Sequence, residues 1–325
     1  MLVSVLLFAV GLVLLIKGGD WFVDGATGIA KRFHLPDIVV GATVVSIGTT
    51  LPEVMVSTTG ALAGSGAMAY GNAIGSIICN TALIAAISIT CNPGPVNVKS
   101  MKTPVIFFFA SAALYCLASY LLGEFPRWMG FLMLAIFVVY TVLTVRNGLR
   151  NPDAASEEEE EAQDKPKALW QELLQLVVGA AVIAVGADLL VDHGQIIAKE
   201  LGVPETVIAL LFVALGTSLP ELVTTITSLK KGRASLGVGN VIGANVFNLV
   251  LVSGVAVSLA PFEVPCENFL LDTGLNMSLV FEIPVMLGVM TLMTVPALLS
   301  KKLGRWQGIA LLCIYAAFCV CQFVL

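Results

Sequence analysis

The sequence predicts an all-α integral membrane protein with ten transmembrane helices, arranged as two inverted repeats of five helices each. Three observations lead to this fold class. Of the 325 residues, 58% are hydrophobic and only 12% are charged, and the mean hydropathy is +0.95. A soluble globular protein has about twice that charged fraction. Ten apolar stretches are long enough to span a bilayer, and the two halves of the chain are similar to each other.

Each of the ten stretches carries the roughly 20 mainly apolar residues that a spanning helix requires. The first stretch lacks the basic start and the small-residue cleavage motif of a signal peptide, so we expect a retained span. The first and sixth stretches exceed the length of one bilayer crossing, which predicts that these helices are tilted. The ten predicted spans are residues 2–30, 37–62, 69–91, 102–122, 128–149, 170–198, 205–229, 236–260, 278–299 and 305–324.

A duplication relates the two halves. Residues 18–80, shifted by 168 positions, align without a gap with residues 186–248, and 22 of the 63 pairs are identical. The sequence therefore predicts a first five-helix repeat (1–150), an acidic linker (151–168) and a second five-helix repeat (169–325). The linker has five consecutive glutamates and no apolar residue larger than alanine, which is typical of a solvated, mobile loop. A calcium-sensing role would need positioned ligands, which such a run lacks.

The distribution of charge indicates that the repeats are inverted. The loop after the second span, AGSG, is uncharged, whereas the matching loop Lys230–Arg233 is strongly basic. Because basic residues collect on the cytoplasmic side of a membrane, these two loops are expected on opposite faces. The same rule places the acidic linker in the cytoplasm and both termini outside. Inverted repeats that meet at mid-membrane are typical of secondary transporters.

Each repeat places a proline and a glutamate inside an apolar span, in GTTLPE at 48–53 and GTSLPE at 216–221. Pro52 and Pro220 have no N–H, so each frees the carbonyl four residues earlier. A free carbonyl in lipid costs several kcal/mol unless another group satisfies it, and a cation can do so. The pattern also fits an ordinary helix start, with a capping hydroxyl, then proline, then an acid in the first turn. Both interpretations stay open, because a broken helix can cap and bind.

The two motifs supply oxygen donors of the kind that hard cations prefer. Residues four apart share a helix face, so hydroxyl and carboxylate lie together. Calcium takes six to eight oxygen ligands, and no histidine or cysteine accompanies these oxygens to suggest zinc or copper. An ionised acid at the centre of a spanning helix costs about 2.5–3.5 kcal/mol on insertion scales, which bound cations would offset. The donors are Thr49, Thr50 and Glu53 in the first repeat and Thr217, Ser218 and Glu221 in the second.

A second polar row follows on the next span of each half. Its members lie four residues apart and share one helix face. Hydrogen bonding between helices is the structural alternative for such side chains. Because matched asparagines follow both acidic motifs, we favour cation ligands. The first row is Asn72, Ser76 and Asn80, and the second is Asn240, Ala244 and Asn248, with Asn245 beside it.

At these residues the sequence resembles the calcium/cation antiporters, in particular the prokaryotic sodium/calcium exchangers. The resemblance rests on GTTLPE with GNAIGSIICN and on GTSLPE with GNVIGANVFN. It implies four cation sites at mid-membrane, and an exchange of about three sodium ions inward for one calcium ion outward, with two long helices sliding against the rest. It also implies a multi-pass protein of the prokaryotic inner or plasma membrane. The implied ligands are Thr49, Thr50, Glu53, Ser76, Asn80, Thr217, Ser218, Glu221 and Asn248, with backbone carbonyls near Ser46 and Ala214.

Two positions depart from the family pattern. Ala244 stands where the family often has serine, which removes one hydroxyl ligand. Asn248 stands where some members have aspartate, which removes one negative charge. Both changes bear on the number of sodium ions and on potassium co-transport.

We therefore predict a transporter rather than an enzyme, with calcium and sodium as transported ions and no resident cofactor. The lipid bilayer and inorganic cations are its expected partners, protons being a further candidate. No basic, aromatic-interleaved patch suggests nucleic acid, and the prediction requires no oligomer. Three alternatives remain: a proton-coupled cation antiporter, a channel, and an intramembrane enzyme. The enzyme would need a protease-like aspartate pair, a diphosphate-binding motif or metal-binding histidines, which we do not find.

Overall fold

The computed structural model describes residues 2–150, 168–201, 216–265 and 276–324. Within these ranges the helices are α1 (Leu2–Arg32), α2 (Asp37–Thr49), α3 (Leu51–Leu62), α4 (Gly66–Cys91), α5 (Val98–Leu122), α6 (Arg127–Leu149), α7 (Leu169–Glu200), α8 (Leu219–Lys230), α9 (Ala234–Leu259), α10 (Ser278–Ser300) and α11 (Arg305–Val324). Four two-residue strands join the ends of helices. They are β1 (Gly94–Pro95), β2 (Glu124–Phe125), β3 (Phe262–Glu263) and β4 (Lys302–Leu303).

The helices agree with the predicted spans to within about four residues at their ends, wherever the structure describes them. Eight are long and apolar enough to cross a membrane, and α2 with α3 forms a ninth candidate that bends by 45°. Of the predicted span 205–229 only α8 lies within the described residues. Residues 202–215 and the predicted linker at 151–167 lie outside them. The chain is therefore an all-α membrane protein, and the tenth helix and the inverted orientation stay predictions.

The start of α5 differs from its predicted position. The helix begins at Val98 rather than at residue 102. Its first turn contains Lys99 and Ser100, polar residues that end the apolar stretch from which the span was predicted. The side chain of Asn97 accepts a hydrogen bond from the backbone N–H of Ser100 at 3.2 Å. This cap satisfies one of the free N–H groups at the helix start and extends the helix beyond the apolar stretch.

Two helices form the centre of the protein. The apolar windows of α4 and α9 are 72% and 83% buried, against 28% and 22% for α1 and α7. The long helices α1 and α7 therefore present much of their surface to lipid, whereas α4 and α9 are enclosed by protein. Each central helix contains one π-helical segment, Asn80–Ala85 in α4 and Asn248–Val252 in α9. Such segments are frequent at functional sites.

The packing of the helices is duplicated. A Cβ atom on Gly130 of α6 would lie 2.5 Å from the backbone nitrogen of Ser258 in α9. A Cβ atom on Gly308 of α11 would lie 2.8 Å from that of Thr90 in α4. Thr90 and Ser258 are related by the 168-residue shift, so the same close contact occurs twice. The strands repeat the pattern, because β1 pairs with β4 and β2 with β3, both antiparallel.

Close glycine contacts hold α1 against α7. A Cβ atom on Gly11 would lie 2.9 Å from the carbonyl oxygen of Gly186, and one on Gly186 would lie 2.9 Å from that of Gly11. Farther along α1, a Cβ atom on Gly25 would lie 2.6 Å from the carbonyl oxygen of Glu172. Residue numbers rise along one helix as they fall along the other, so the pair is antiparallel. Small residues allow this approach of two backbones, as is usual between membrane helices.

We expect Gly186→Leu to destabilise the protein, because a side chain there meets the backbone of α1 and cannot be accommodated by a rotamer change. Overpacking of this kind costs about 1–3 kcal/mol. Gly288→Leu is the matched control, since Gly288 is exposed on α10 and a Cβ atom there would have no other atom within 4 Å. Thermal unfolding of the purified protein in detergent compares them. Equal melting temperatures would contradict the close contact.

Candidate cation-binding site

Both acidic motifs lie where a helix begins. The chain bends by 45° between Thr49 and the start of α3, whose second residue is Pro52. In the second half α8 begins directly after Ser218, with Pro220 as its second residue. Proline is tolerated there because N–H groups in the first turn have no acceptor within the helix. The helix-start interpretation therefore describes the backbone correctly.

The two glutamates do not act as helix caps. Glu53 and Glu221 are the third residues of α3 and α8, from which a carboxylate can reach back to the free N–H groups. Neither helix has a side-chain cap hydrogen bond. Neither oxygen of Glu53 has a well-formed hydrogen-bond partner among the described residues, and both glutamates are 0% exposed. Capping therefore does not explain why each motif buries a carboxylate.

The two carboxylates approach each other across the halves of the protein. The hydroxyl of Thr50, from the first motif, donates to Oε1 of Glu221 at 3.5 Å, and the charges of Glu53 and Glu221 are close enough to interact. None of the ion pairs in the described part of the chain involves either glutamate. A pair of buried acids without a base is costly, so the site needs another source of positive charge.

The predicted asparagine ligands lie beside these helices. α3 packs against the π-helical segment that begins at Asn248, and α8 packs against the one that begins at Asn80. Both asparagines are fully buried, and neither their oxygen nor their nitrogen atoms have a partner in the described structure. Oε2 of Glu221 and the hydroxyl of Ser218 also have none. Unpaired buried polar groups need an explanation, which a bound cation provides for the oxygens.

Unpaired hydroxyls also occur away from the site, as at Ser111 and Thr144. A hydroxyl can rotate toward a carbonyl of its own helix, whereas a carboxylate has no such option because it only accepts. The described residues contain no group of three or more His, Cys, Asp or Glu side chains that could hold a metal ion. The candidate site is therefore built from two carboxylates, hydroxyls and amides.

Two further asparagines contact the motifs, each from the opposite half. The hydroxyl of Thr49 donates to Oδ1 of Asn240 at 3.1 Å. The hydroxyl of Thr217 donates to Oδ1 of Asn72 at 3.4 Å. The ligand set implied by the family resemblance omits both asparagines, although the two polar rows favoured as ligands include them and they are identical in the alignment of the two halves. That identity was the available signal, but a sequence alignment does not show that the bonds cross between halves.

The remaining predicted residues are placed as follows. The carbonyl of Ser46 accepts the backbone N–H of Thr50 at 3.0 Å, and its hydroxyl donates to the carbonyl of Gly41 at 2.7 Å. Ser76 is buried on α4. Ala214 lies outside the described residues. The structure therefore brings together oxygen donors of both motifs, and the ligand assignments themselves stay predictions.

Access to the two motifs differs. A cavity of about 210 Å³ is lined by Thr217 together with Asp188 and Asp192, which are exposed at the protein surface. On the matching side of the first motif the cavity is about 10 Å³. Phe22 lines this smaller cavity together with Thr49. Thr217 is partly exposed whereas Thr49 is buried, so the second threonine is the more accessible of the two.

Comparison with known proteins agrees with these features. The profile of the family described as sodium/calcium exchanger protein matches residues 3–146 and 172–324. An uncharacterized membrane protein of Methanocaldococcus jannaschii is 33% identical over 310 residues, which cover 95% of this chain and 94% of that protein. The sodium/calcium exchanger MaX1 of Methanosarcina acetivorans is 30% identical over 355 residues, with 99% of both chains covered.

Solved structures of the sodium-calcium exchanger NCX_Mj have a similar fold. One, soaked with Na⁺ and Sr²⁺, has a TM-score of 0.79 and 31% sequence identity, and the match covers 97% of both chains. Another, soaked with zero Na⁺ and Ca²⁺, has a TM-score of 0.78 and 29% identity. Because the family profile covers most of the chain and two relatives are at least 30% identical over nearly its full length, this protein belongs to the sodium/calcium exchanger family, whose named members are transporters and not enzymes.

Proposed function

We propose that this protein is a secondary active antiporter in which sodium influx drives calcium efflux by alternating access. One observation carries the proposal. The carboxylates of Glu53 and Glu221 are fully buried, come from matched helices of the two halves and have no ion-pair partner among the described residues. The unpaired amides of Asn80 and Asn248 lie on the segments packed against those helices.

The charge of the site supports a competition between calcium and sodium. One divalent ion, or two monovalent ions, neutralises two carboxylates. All the donors are hard oxygens, which suit Ca²⁺. The named relative MaX1 is a sodium/calcium exchanger, and NCX_Mj was studied with Na⁺, Ca²⁺ and Sr²⁺. We therefore assign both ions to this chain, with the ligand set predicted from its sequence.

The proposed topology is ten helices in two inverted repeats, residues 1–150 and 169–325, with the linker in the cytoplasm and both termini outside. The strongly basic loop Lys230–Arg233 supports this orientation, because it follows α8 and is expected in the cytoplasm. The antiparallel packing of α1 against α7 is consistent with it, since these are the first helices of the two repeats. Its similarity to proteins of Methanocaldococcus jannaschii and Methanosarcina acetivorans supports a location in the inner or plasma membrane of a prokaryotic cell.

The difference in access supports alternating access. With both termini outside, α7 runs outward, so Asp188 and Asp192 near its second end lie toward the outer face. The cavity at Thr217 then corresponds to an outward-facing state, because the cavity beside Phe22 and Thr49, on the cytoplasmic approach, is far smaller. In the inward-facing state the first motif would be the accessible one. Exchange of access between two halves around a fixed site is the usual scheme for inverted-repeat transporters.

Glu53→Gln and Glu221→Gln are expected to abolish calcium exchange, because each removes the charge that attracts the ion while preserving the shape of the side chain. Radiolabelled calcium uptake into liposomes that contain purified protein and internal sodium measures this. Glu263→Gln, at an exposed position in β3, is the control and should transport like the unmodified protein. Retained uptake in either of the first two variants would count strongly against the proposed site.

Sodium, rather than a pH gradient, is expected to drive the exchange. Calcium uptake should follow an outward sodium gradient when ionophores hold the internal and external pH equal. Potassium in place of internal sodium provides the control for a diffusion potential. Uptake that ignores sodium and follows an imposed pH gradient would instead identify a proton-coupled antiporter, which would use the same two carboxylates as proton carriers. Flux of calcium with no counter-ion would indicate a channel.

Voltage is expected to affect the exchange, because three sodium ions moving against one calcium ion carry one net positive charge per cycle. That charge is worth about 2.3 kcal/mol per 100 mV, or about fifty-fold in the equilibrium calcium ratio. An inside-positive potential, set with potassium and valinomycin, should raise calcium accumulation in sodium-loaded liposomes, and an inside-negative potential should lower it. Accumulation independent of voltage would mean an electroneutral exchange of two sodium ions for one calcium ion.

A further inference from the structure

Asn72 and Asn240 contact the acidic motifs but are not among the ligands that the family resemblance implies. They occupy matching positions in α4 and α9, 168 residues apart. Each accepts a hydrogen bond from a threonine of the other half: Asn240 from Thr49 at 3.1 Å, and Asn72 from Thr217 at 3.4 Å. The same contact is thus made twice, and each time the threonine and the asparagine belong to different halves of the chain.

We propose that Asn72 and Asn240 are positioning residues for cation binding, each of which fixes the hydroxyl proton of the threonine in the opposite repeat. This inference rests on the proposed function, because it concerns how the two threonines serve as ligands. It adds to that function two residues that do not touch the ion, and it assigns them a defined role. The role is to keep the threonine oxygens available to Ca²⁺ or Na⁺.

The chemistry of a hydroxyl gives the reason. A threonine hydroxyl has one proton and two lone pairs, and only the lone pairs can coordinate a cation. When the proton is held by the amide oxygen of an asparagine, the lone pairs are free to face another direction. Without that acceptor the proton can turn toward a nearby carboxylate, as the hydroxyl of Thr50 does toward Glu221. A hydroxyl so oriented presents less of its oxygen to the ion.

The orientation of the Asn72 amide follows from its other contacts. Its nitrogen donates to the carbonyl oxygen of Glu53 at 3.2 Å and to the hydroxyl of Ser57 at 2.8 Å. A carbonyl oxygen can only accept, so the nitrogen of Asn72 must lie on that side. The amide oxygen therefore faces Thr217. This places Asn72 between the two acidic motifs, with one end on the backbone of Glu53 and the other on the opposite threonine.

Asn240 keeps the threonine contact but not the bonds to its own half. It is 0% exposed, and its amide nitrogen has no partner in the described structure. The hydroxyl of Ser46, again from the opposite half, lies 3.2 Å from its amide oxygen but donates to the closer carbonyl oxygen of Gly41 at 2.7 Å. The residue that matches Ser57 is Thr225, whose hydroxyl is likewise unpaired. If these asparagines served only to join neighbouring helices, Asn240 would be expected to keep the bonds that Asn72 makes to the adjacent helix. Asn240 has lost those bonds and keeps the contact with the threonine of the other half.

Double-mutant cycles test this role through calcium affinity, measured by isothermal titration of the purified full-length protein with Ca²⁺ in sodium-free buffer. Asn240→Leu, which keeps the approximate shape of the side chain, should weaken calcium binding about three- to tenfold, as loss of one hydrogen bond does. Thr49→Val also removes a proposed ligand oxygen, so it should weaken binding at least as much. Combined, the two changes should weaken binding little more than Thr49→Val alone, because Asn240 acts only through the hydroxyl of Thr49. Thr217→Val with Asn72→Leu should behave in the same way.

The mismatched pairs are the control. Thr49→Val with Asn72→Leu, and Thr217→Val with Asn240→Leu, break two separate contacts, so their effects on affinity should multiply. Melting temperatures identify any variant that does not fold, and Asn→Ser then replaces Asn→Leu at that position. Effects that multiply in the matched pairs as they do in the mismatched pairs would overturn the positioning role. Glu53→Gln tests the ion site by itself, so failure of the cycles in a protein that still requires Glu53 refutes this inference alone.

Discussion

The cost of placing two carboxylates inside a membrane protein governs the rest of this structure. Glu53 and Glu221 are fully buried, interact with each other and have no basic partner in the described part of the chain. An acid in the bilayer costs several kcal/mol, and a second one nearby repels it. Such a pair is stable when positive charge occupies the site or when protons neutralise it. Either source of positive charge would therefore relieve the same cost, which is the basis of the proposed exchange.

Much of this architecture could be predicted from the sequence. Nine spans agree with apolar stretches, because the bilayer imposes a minimum length on any helix that crosses it. The alignment of the two halves located both acidic motifs and the two asparagines predicted as ligands, Asn80 and Asn248. Burial of these four side chains follows from the motif pattern, since prolines and acids within a span are retained only where protein surrounds them.

The contacts between the halves could not be predicted in this way. The alignment pairs Asn72 with Asn240, but it does not show that each bonds to the threonine of the other half. The gapless alignment also does not reach the last helix of each half, which the prediction of five-helix repeats includes. Arg127 and Arg305 match at a shift of 178 residues rather than 168, and each donates to a carbonyl near the end of a central helix. A change in loop length hides such a match from a gapless alignment. The unequal access to the two motifs is a property of one conformation, which a sequence does not specify.

The most direct test of the central claim is the position of a bound ion. Strontium is a heavier substitute for calcium that can be located by anomalous X-ray diffraction from soaked crystals. The account predicts one main peak between Glu53 and Glu221, with a carboxylate oxygen of each at about calcium-like distances of 2.3–2.6 Å, and its loss when sodium replaces strontium. A peak at the exposed Asp188 and Asp192 with none between the two glutamates, or a peak between them that sodium does not displace, would contradict the account.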